Sequence, residues 1–296
     1  MTAPRQVLPG TTYLVTRRCF QRQLLLQPSE TTSQTFLFVL AVAARRFGVQ
    51  VHAYCVLSNH FHLVVTDPDA RLPAFEQYLD SLVARALNAS LGRWESFWAP
   101  SSYSAVALQT PDDVVDKVAY TLANPVAAGL VGRGRDWPGL WSDPEHVGTQ
   151  VDVRRPAVFF RSKGPLPDQV QLELVVPPGF RSPEEFRWRV AAALAEREAK
   201  AREALAGQQP RQEGRGRSSA SPLPRPSPGE PRRQLRPRIA ARDKWTRIAA
   251  LRRLAAFLGA YREAWEAFRG GAREVLFPAG TYALRVVHGV RCAAPG

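Results

Sequence analysis

The first half of this 296-residue chain predicts an α+β fold: a ferredoxin-like, split-βαβ antiparallel sheet with helices on one face. Two observations predict it. Strand-patterned and helix-patterned stretches follow one another as β-α-β-β-α-β-α over residues 12–125. The two middle strands are separated by only two residues, Ser58 and Asn59, which makes them a hairpin.

Each element has its own reason. Residues 12–17 (TYLVTR) are β-branched and aromatic, and read as a strand. Residues 30–47 have helical length, and Gly48 follows as a C-cap. Residues 51–57 (VHAYCVL) and 60–66 (HFHLVVT) are the hairpin strands. Residues 71–91 place Leu79, Leu82, Val83, Ala86 and Leu87 on one face of a second helix. Residues 104–109 (SAVALQ) are short and apolar, a fourth strand. Thr110-Pro111-Asp112-Asp113 opens a third helix, with Thr as N-cap, Pro in the first turn and acids at the positive end of the helix dipole. That helix is expected to stop near Asn124-Pro125, because proline disfavours helix in the residue before it.

Beyond residue 148 the pattern weakens. Residues 149–206 read as an extension with short strands, one of them near 170–176, and a helix opened by Ser182-Pro183-Glu184-Glu185 that runs to about residue 205. Residues 207–238 are dominated by Pro, Arg, Ser and Gly. So little apolar surface does not offset the entropy of ordering, and a disordered basic linker is expected. In 239–296, Trp245, Ile248, Leu251, Leu254, Leu258, Tyr261, Trp265 and Phe268 recur at three or four residues, an amphipathic helical segment. The final VLFPAGTYALRVV stretch reads as a hairpin. The division expected is a catalytic domain at 1–148, the extension, the linker and the C-terminal helical segment.

The net charge is +14, and all of it lies late in the chain. Residues 1–148 hold 12 basic and 12 acidic side chains, so the excess falls in 149–296. A basic excess favours a polyanionic partner through phosphate contact and counterion release. Without a long apolar run, no membrane span is expected. Three scattered cysteines, Cys19, Cys55 and Cys292, form neither a disulfide framework nor a zinc motif. A cytoplasmic, nucleoid-associated protein is the simplest expectation.

Two short tracts carry chemistry. In His60-Phe61-His62 the imidazoles lie at i and i+2 of a strand and share a face, a spacing that chelates a divalent cation, while Phe61 faces the other way. In Tyr120-Thr-Leu-Ala-Asn124-Pro125, residues i and i+4 of a helix share a face. An Asn carbonyl is a hard oxygen ligand suited to Mg²⁺ or Mn²⁺. A tyrosine hydroxyl, once activated, is a covalent nucleophile.

Together, VHAYCVLSNHFHLVV and, some sixty residues on, VAYTLANPVAAGLV resemble the HUH single-tyrosine transposases, in particular the REP-associated tyrosine transposases. The aromatic-rich loop between them, GRWESFWAPSSYSAV, fits that pattern, and the resemblance spans about residues 10–143. Ser58 stands where the family usually has Pro, and Thr16-Arg17-Arg18-Cys19 where an Arg-Gly pair is common. The resemblance implies His60, His62 and Asn124 as metal ligands for Mg²⁺ or Mn²⁺ and Tyr120 as nucleophile. It implies cleavage and transfer of single-stranded or hairpin DNA through a 5′-phosphotyrosine, in one chain or across a homodimer. Arg17, Arg18 and Arg93 are candidates for phosphate contact. Trp98, with Trp94, Phe97 and Tyr103, is a candidate for base stacking. Two other readings stay open: a hairpin- or repeat-DNA-binding protein derived from a transposase that no longer cuts, and an RNA-binding protein resting on the basic tail.

Overall fold

The structure, a computed structural model, describes residues 4–100, 103–161, 164–207 and 237–295. The expected linker falls almost wholly outside them.

Four strands build the sheet: β1 (Thr11–Arg18), β2 (Gln50–Leu57), β3 (His60–Asp67) and β4 (Ser104–Leu108). They are antiparallel and lie in the order β2-β3-β1-β4, so the first and third strands are central, as a split βαβ unit requires. The register is set by which residues must be buried. Val15 pairs with Leu63 and Thr16 with His62, which leaves alternate side chains of β3 on opposite faces.

One face carries two helices, α1 (Glu30–Phe47) and α2 (Leu72–Ser90), packed on each other. α1 starts where Ser29 accepts from the Thr32 amide at 3.0 Å and ends at Gly48, whose φ of 69° is the left-handed C-cap that glycine adopts without cost. Phe61 points into this layer, edge-on to Phe36 at 5.1 Å and to Trp98 at 5.6 Å. Helices on one face are thus what α1 and α2 provide. The third helix, α3 (Pro111–Ala127), crosses the opposite face of β2 and β3.

α3 begins as its sequence predicts: Thr110 and Asp113 form a reciprocal capping box. It does not stop before Pro125 but continues one turn to Ala127. The Leu130 amide donates to Pro125 and the Gly129 amide to Val126, with Gly129 left-handed at φ 69°, a Schellman closure. Asn124 therefore stands inside the helix, one turn below Tyr120.

The core does not end at residue 148. A hairpin of β5 (Gln150–Arg154) and β6 (Gln169–Glu173) packs beside α1, and α4 (Pro183–Ala206) lies along α3 with Phe186 and Val190 fully buried. β7 (Ile239–Ala240) then joins the sheet edge parallel to β4, a fifth strand that two residues of sequence do not announce. α5 (Lys244–Arg269) is the expected C-terminal helix, but its buried positions are Ala250, Phe257 and Ala264, whereas Trp245 and Leu251 are exposed. The expected hairpin at the end is instead a short crossover. β8 (Leu276–Phe277) pairs in parallel with β9 (Arg291–Cys292), and α6 (Ala283–His288) lies between them, because a parallel pair needs a crossover. Among the described residues no helix is long and apolar enough to cross a membrane.

Candidate metal and nucleophile site

β3 presents His60 and His62 on the sheet face away from α1 and α2. Their rings stand 4.9 Å apart, centroid to centroid. α3 crosses this face and lays Tyr120 edge-on to His62, at 5.4 Å, with the Asn124 side chain beside His60. The four residues are thus brought together from two elements some sixty residues apart. Tyr120 is 37% exposed, so its ring is seated on His62 with part of it open to solvent.

Each histidine is oriented by a neighbour. The Asn59 side-chain oxygen Oδ1 lies 2.6 Å from His60 Nδ1; since that oxygen only accepts, Nδ1 donates and Nε2 keeps its lone pair. Thr16 Oγ1, across the β1–β3 pair, bonds His62 Nδ1 at 2.8 Å. Nε2 of His62 is buried and bonds to nothing. Burial, followed by the positive charge of Arg18, holds His60 down at about 4. Burial, with His60 and Arg18 beside it, holds His62 well below the ordinary imidazole value. Both rings are therefore neutral at pH 7, the form that binds a metal.

The donor set fits a hard divalent cation. A buried, unbonded ring nitrogen costs about 1–3 kcal/mol, a cost that ligation removes. Among the described residues there is no group of three or more His, Cys, Asp and Glu able to hold a metal. Beside the two imidazoles, the Asn124 amide is an oxygen donor that could complete the set. Thr16 and Asn59 would serve as the outer partners that fix the ring orientation of ligating histidines.

Two cations flank Tyr120. Lys117 Nζ lies 5.8 Å from the Tyr120 ring centroid, and the Arg197 guanidinium, reaching over from α4, lies 6.0 Å from it. Both are held by Asp116, Lys117 at 2.9 Å. Burial raises the Asp116 carboxyl, but the hydrogen bonds from Lys117 and Arg197 outweigh it and leave it below its ordinary value.

The remaining expected residues separate. Arg18 is exposed beside the histidines. Arg17 pairs with Asp80 at 3.0 Å and turns toward α2. Arg93 is mostly covered, its nearest carboxylate being Glu95 at 3.7 Å. Trp98 is partly buried, donates Nε1–H to the Asp80 carbonyl at 2.9 Å and packs on Phe61 and Phe97, so it belongs to the core under the loop. Phe97 is buried, Tyr103 is half-buried, and Trp94 alone of these aromatics is almost fully exposed, at 91%.

Two solved structures resemble this chain. One is a REP-associated tyrosine transposase bound to a REP hairpin: TM-score 0.40, 22% identity, with 47% of this chain and 81% of that chain covered. The other is a candidate transposase from Deinococcus radiodurans: TM-score 0.29, 19% identity, with 36% of this chain and 85% of that chain covered. No family model and no curated protein matches the sequence.

Thr16, Lys117 and Arg197 escaped the sequence. Thr16 becomes a partner of His62 only through strand pairing. Lys117 shares a helix face with Tyr120 at i and i+3, a spacing that was available. Nothing local marks Arg197, which arrives from an element eighty residues away in sequence.

Proposed function

We propose that the chain is a metal-dependent single-stranded DNA endonuclease and strand transferase, a transposase, acting through a 5′-phosphotyrosine on Tyr120. The observation that carries this reading is the meeting of the two neutral, oriented histidines of β3 with Tyr120 and Asn124 on one turn of α3. The resemblance of the two tracts that supply these residues to the HUH single-tyrosine transposases supports it.

His60, His62 and Asn124 would hold Mg²⁺ or Mn²⁺, which when bound polarises a phosphate and neutralises charge developing on it. Tyr120, anchored by its ring against His62, directs its hydroxyl at the scissile phosphorus. The Tyr120 oxygen–phosphorus bond forms as the bond to the 3′ oxygen breaks. The phenol loses its proton and the departing oxygen gains one, leaving a free 3′ hydroxyl. Attack by a 3′ hydroxyl on the phosphotyrosine reverses the step and rejoins strands without an external energy source. Lys117 and Arg197 place positive charge where a phosphate approaching Tyr120 would meet it.

The test is covalent capture. Purified full-length protein with hairpin-bearing single-stranded DNA and Mg²⁺ or Mn²⁺ should give a denaturant-stable protein–DNA adduct, lost in Tyr120→Phe. An adduct that survives in Tyr120→Phe removes Tyr120 from the mechanism. Binding without any adduct, across metals and substrates, favours the DNA-binding reading that does not cut.

A further inference from the structure

α5 lies beyond the tracts that carry the resemblance, and its apolar residues divide between two faces. Tyr261, Trp265 and Phe268 turn inward and pack around Phe277 and Leu284, and Ala250, Phe257 and Ala264 are buried. Ile248, Leu251, Ala255, Leu258 and Arg262 follow one another at spacings of three, four, three and four, so they form a stripe along another face. Leu251 is 49% exposed, and Ala255 and Arg262 are exposed as well. Ile248 and Leu258 are half-buried, and among the described residues they belong to neither packed core. Trp245, 72% exposed, borders the stripe.

Two features of α5 point to what covers this stripe. The first is Gly259, which stands next to Leu258 in the interior of a 26-residue helix. Glycine is the least favourable helix residue short of proline. Nothing among the described residues calls for it, since an added Cβ would meet no atom within 4 Å. A glycine on an open helix face suits a side chain that seats against the backbone from outside. The second is charge. From Lys244 to Arg262 the helix bears five basic side chains and no acid, and its only acids, Glu263 and Glu266, stand near its end.

We infer that the chain self-associates through α5, as an antiparallel helix pair crossing at Ala255. Lys244 and Glu266 are each eleven residues from Ala255, and Leu251 and Gly259 each four. An antiparallel pair therefore sets Lys244 against Glu266 of the second copy and Leu251 into the space over its Gly259, and two-fold symmetry repeats both contacts. The methylenes of Arg262 cover Ile248 of the second copy while its guanidinium reaches water. A parallel pair would stack basic turns on basic turns and face glycine with glycine. A single helix pair falls at the small end of interfaces, below about 1,200 Å² in total, where association is weak and reversible. The dimer expected is thus a micromolar one, and it does not depend on the cleavage reading.

The experiment is sedimentation equilibrium of the full chain, treated with nuclease, across the micromolar range. The wild type should show a reversible monomer–dimer equilibrium. Leu251→Glu should weaken the dimer by about tenfold or more and leave the melting temperature of the monomer unchanged, because Leu251 is exposed. Gly259→Ala should weaken the dimer several-fold and yet raise the melting temperature, measured at a dilution where the chain is monomeric. A glycine with only a structural role would not move the association. Lys244→Glu should weaken the dimer, and adding Glu266→Lys should restore it. In Cys292→Ser, which leaves only the buried Cys19 and Cys55, Ala255→Cys should oxidise to a covalent dimer and Ile248→Cys should not.

A monomer at every concentration would overturn the inference. So would a dimer indifferent to both Leu251→Glu and Gly259→Ala, or one that crosslinks through Ile248→Cys as readily as through Ala255→Cys. A monomer that Leu251→Glu destabilises would mean that another segment of the same chain covers the stripe. A monomer whose affinity for a fluorescein-labelled oligothymidylate falls in Leu251→Glu would assign the stripe to nucleic acid. Either result also overturns self-association through α5, and neither bears on whether Tyr120 forms an adduct.

Discussion

The rings of His62 and Tyr120 meet edge to face, 5.4 Å between centroids and 81° between planes, on the side of β3 opposite Phe61. This contact fixes where Tyr120 stands, and His62 Nε2 beside it is buried with nothing to bond. A buried polar atom without a partner is a local cost that a bound ligand would remove.

That cost predicts different effects of one substitution in two buffers. In chelator, His62→Leu should cost at most about 1–2 kcal/mol, since it trades the orphaned nitrogen for apolar volume but gives up the Thr16 bond to Nδ1. With Mn²⁺, the wild type should melt at a higher temperature and His62→Leu should not respond, because a ligand that binds only the folded state stabilises it by mass action. Thermal melts of both proteins with chelator and with Mn²⁺ decide it. Equal Mn²⁺ shifts would remove His62 from the ligand set.

A second buried histidine predicts acid lability. Since the Val175 carbonyl can only accept, His52 Nδ1 must donate to it, at 2.7 Å; Nε2 then accepts from the Thr66 hydroxyl, also at 2.7 Å, and Thr66 in turn accepts from Thr12. The chain of bonds works only with a neutral ring. Burial lowers His52 to about 4 from an ordinary 6.5, with the Val175 bond opposing it. Above pH 6.5 neither state is protonated and the fold has its full stability. Between 6.5 and 4 the unfolded chain takes up the proton and the folded one does not, so stability falls with pH, by about 3 kcal/mol at most. His52→Gln should be less stable at pH 7.5 and should lose less between pH 6.5 and 4, as read from urea midpoints. A wild-type midpoint that is flat across that window would refute it.

The strands, α1, α2 and the start of α3 were legible because local rules and burial agree there. Ser29 and Gly48 do cap α1, and Thr110 with Asp113 does cap α3. The pairing of His60 with His62 was likewise visible in the period of a strand. The end of α3 was not, because Pro125 is a breaker by local rule, yet the helix runs past it to a Schellman closure through Gly129 and Leu130. β7 was not, because two residues have no period. The face of α5 was legible in part: Tyr261, Trp265 and Phe268 pack around Phe277 and Leu284, but Trp245 and Leu251 are exposed and the helix buries Ala250, Phe257 and Ala264 instead. Trp98 looked like a stacking group by type, but its indole N–H is bonded to the Asp80 carbonyl in the core.

Asp113 ties the tyrosine helix to the extension. One carboxylate oxygen takes the Thr110 amide and hydroxyl, at 3.0 and 2.8 Å, and the other takes the Arg242 amide at 2.7 Å. Asp113→Ala should therefore cost about 1–2 kcal/mol, a capping contact plus the lost Arg242 amide bond. Chemical denaturation measures the cost. Hydrogen exchange should localise it, with faster exchange at both Thr110 and Arg242. Faster exchange at Thr110 alone would show that Asp113 does not hold the extension.

The carboxyl pair of α2 gives the last prediction. Glu76 and Asp80 stand one turn apart; Glu76 is fully buried, and neither of its oxygens has a hydrogen-bond partner. Burial, with the nearby Asp80 charge, drives the Glu76 carboxyl well above its ordinary value. Burial likewise lifts Asp80 to about 7, against the pull of Arg17. Glu76 is thus held neutral in the fold, while in the unfolded chain it ionises once pH exceeds about 4.5. The folded state then binds the extra proton, so this group destabilises the fold increasingly as pH rises from about 4.5. Glu76→Gln is neutral at every pH and nearly the same size. It should change stability little at pH 5 and raise it by about 1–2 kcal/mol or more at pH 8. Denaturant midpoints of the two proteins at both pH values give the comparison. A gain that shrinks as pH rises would mean that Glu76 is ionised in the fold and paired with a cation there.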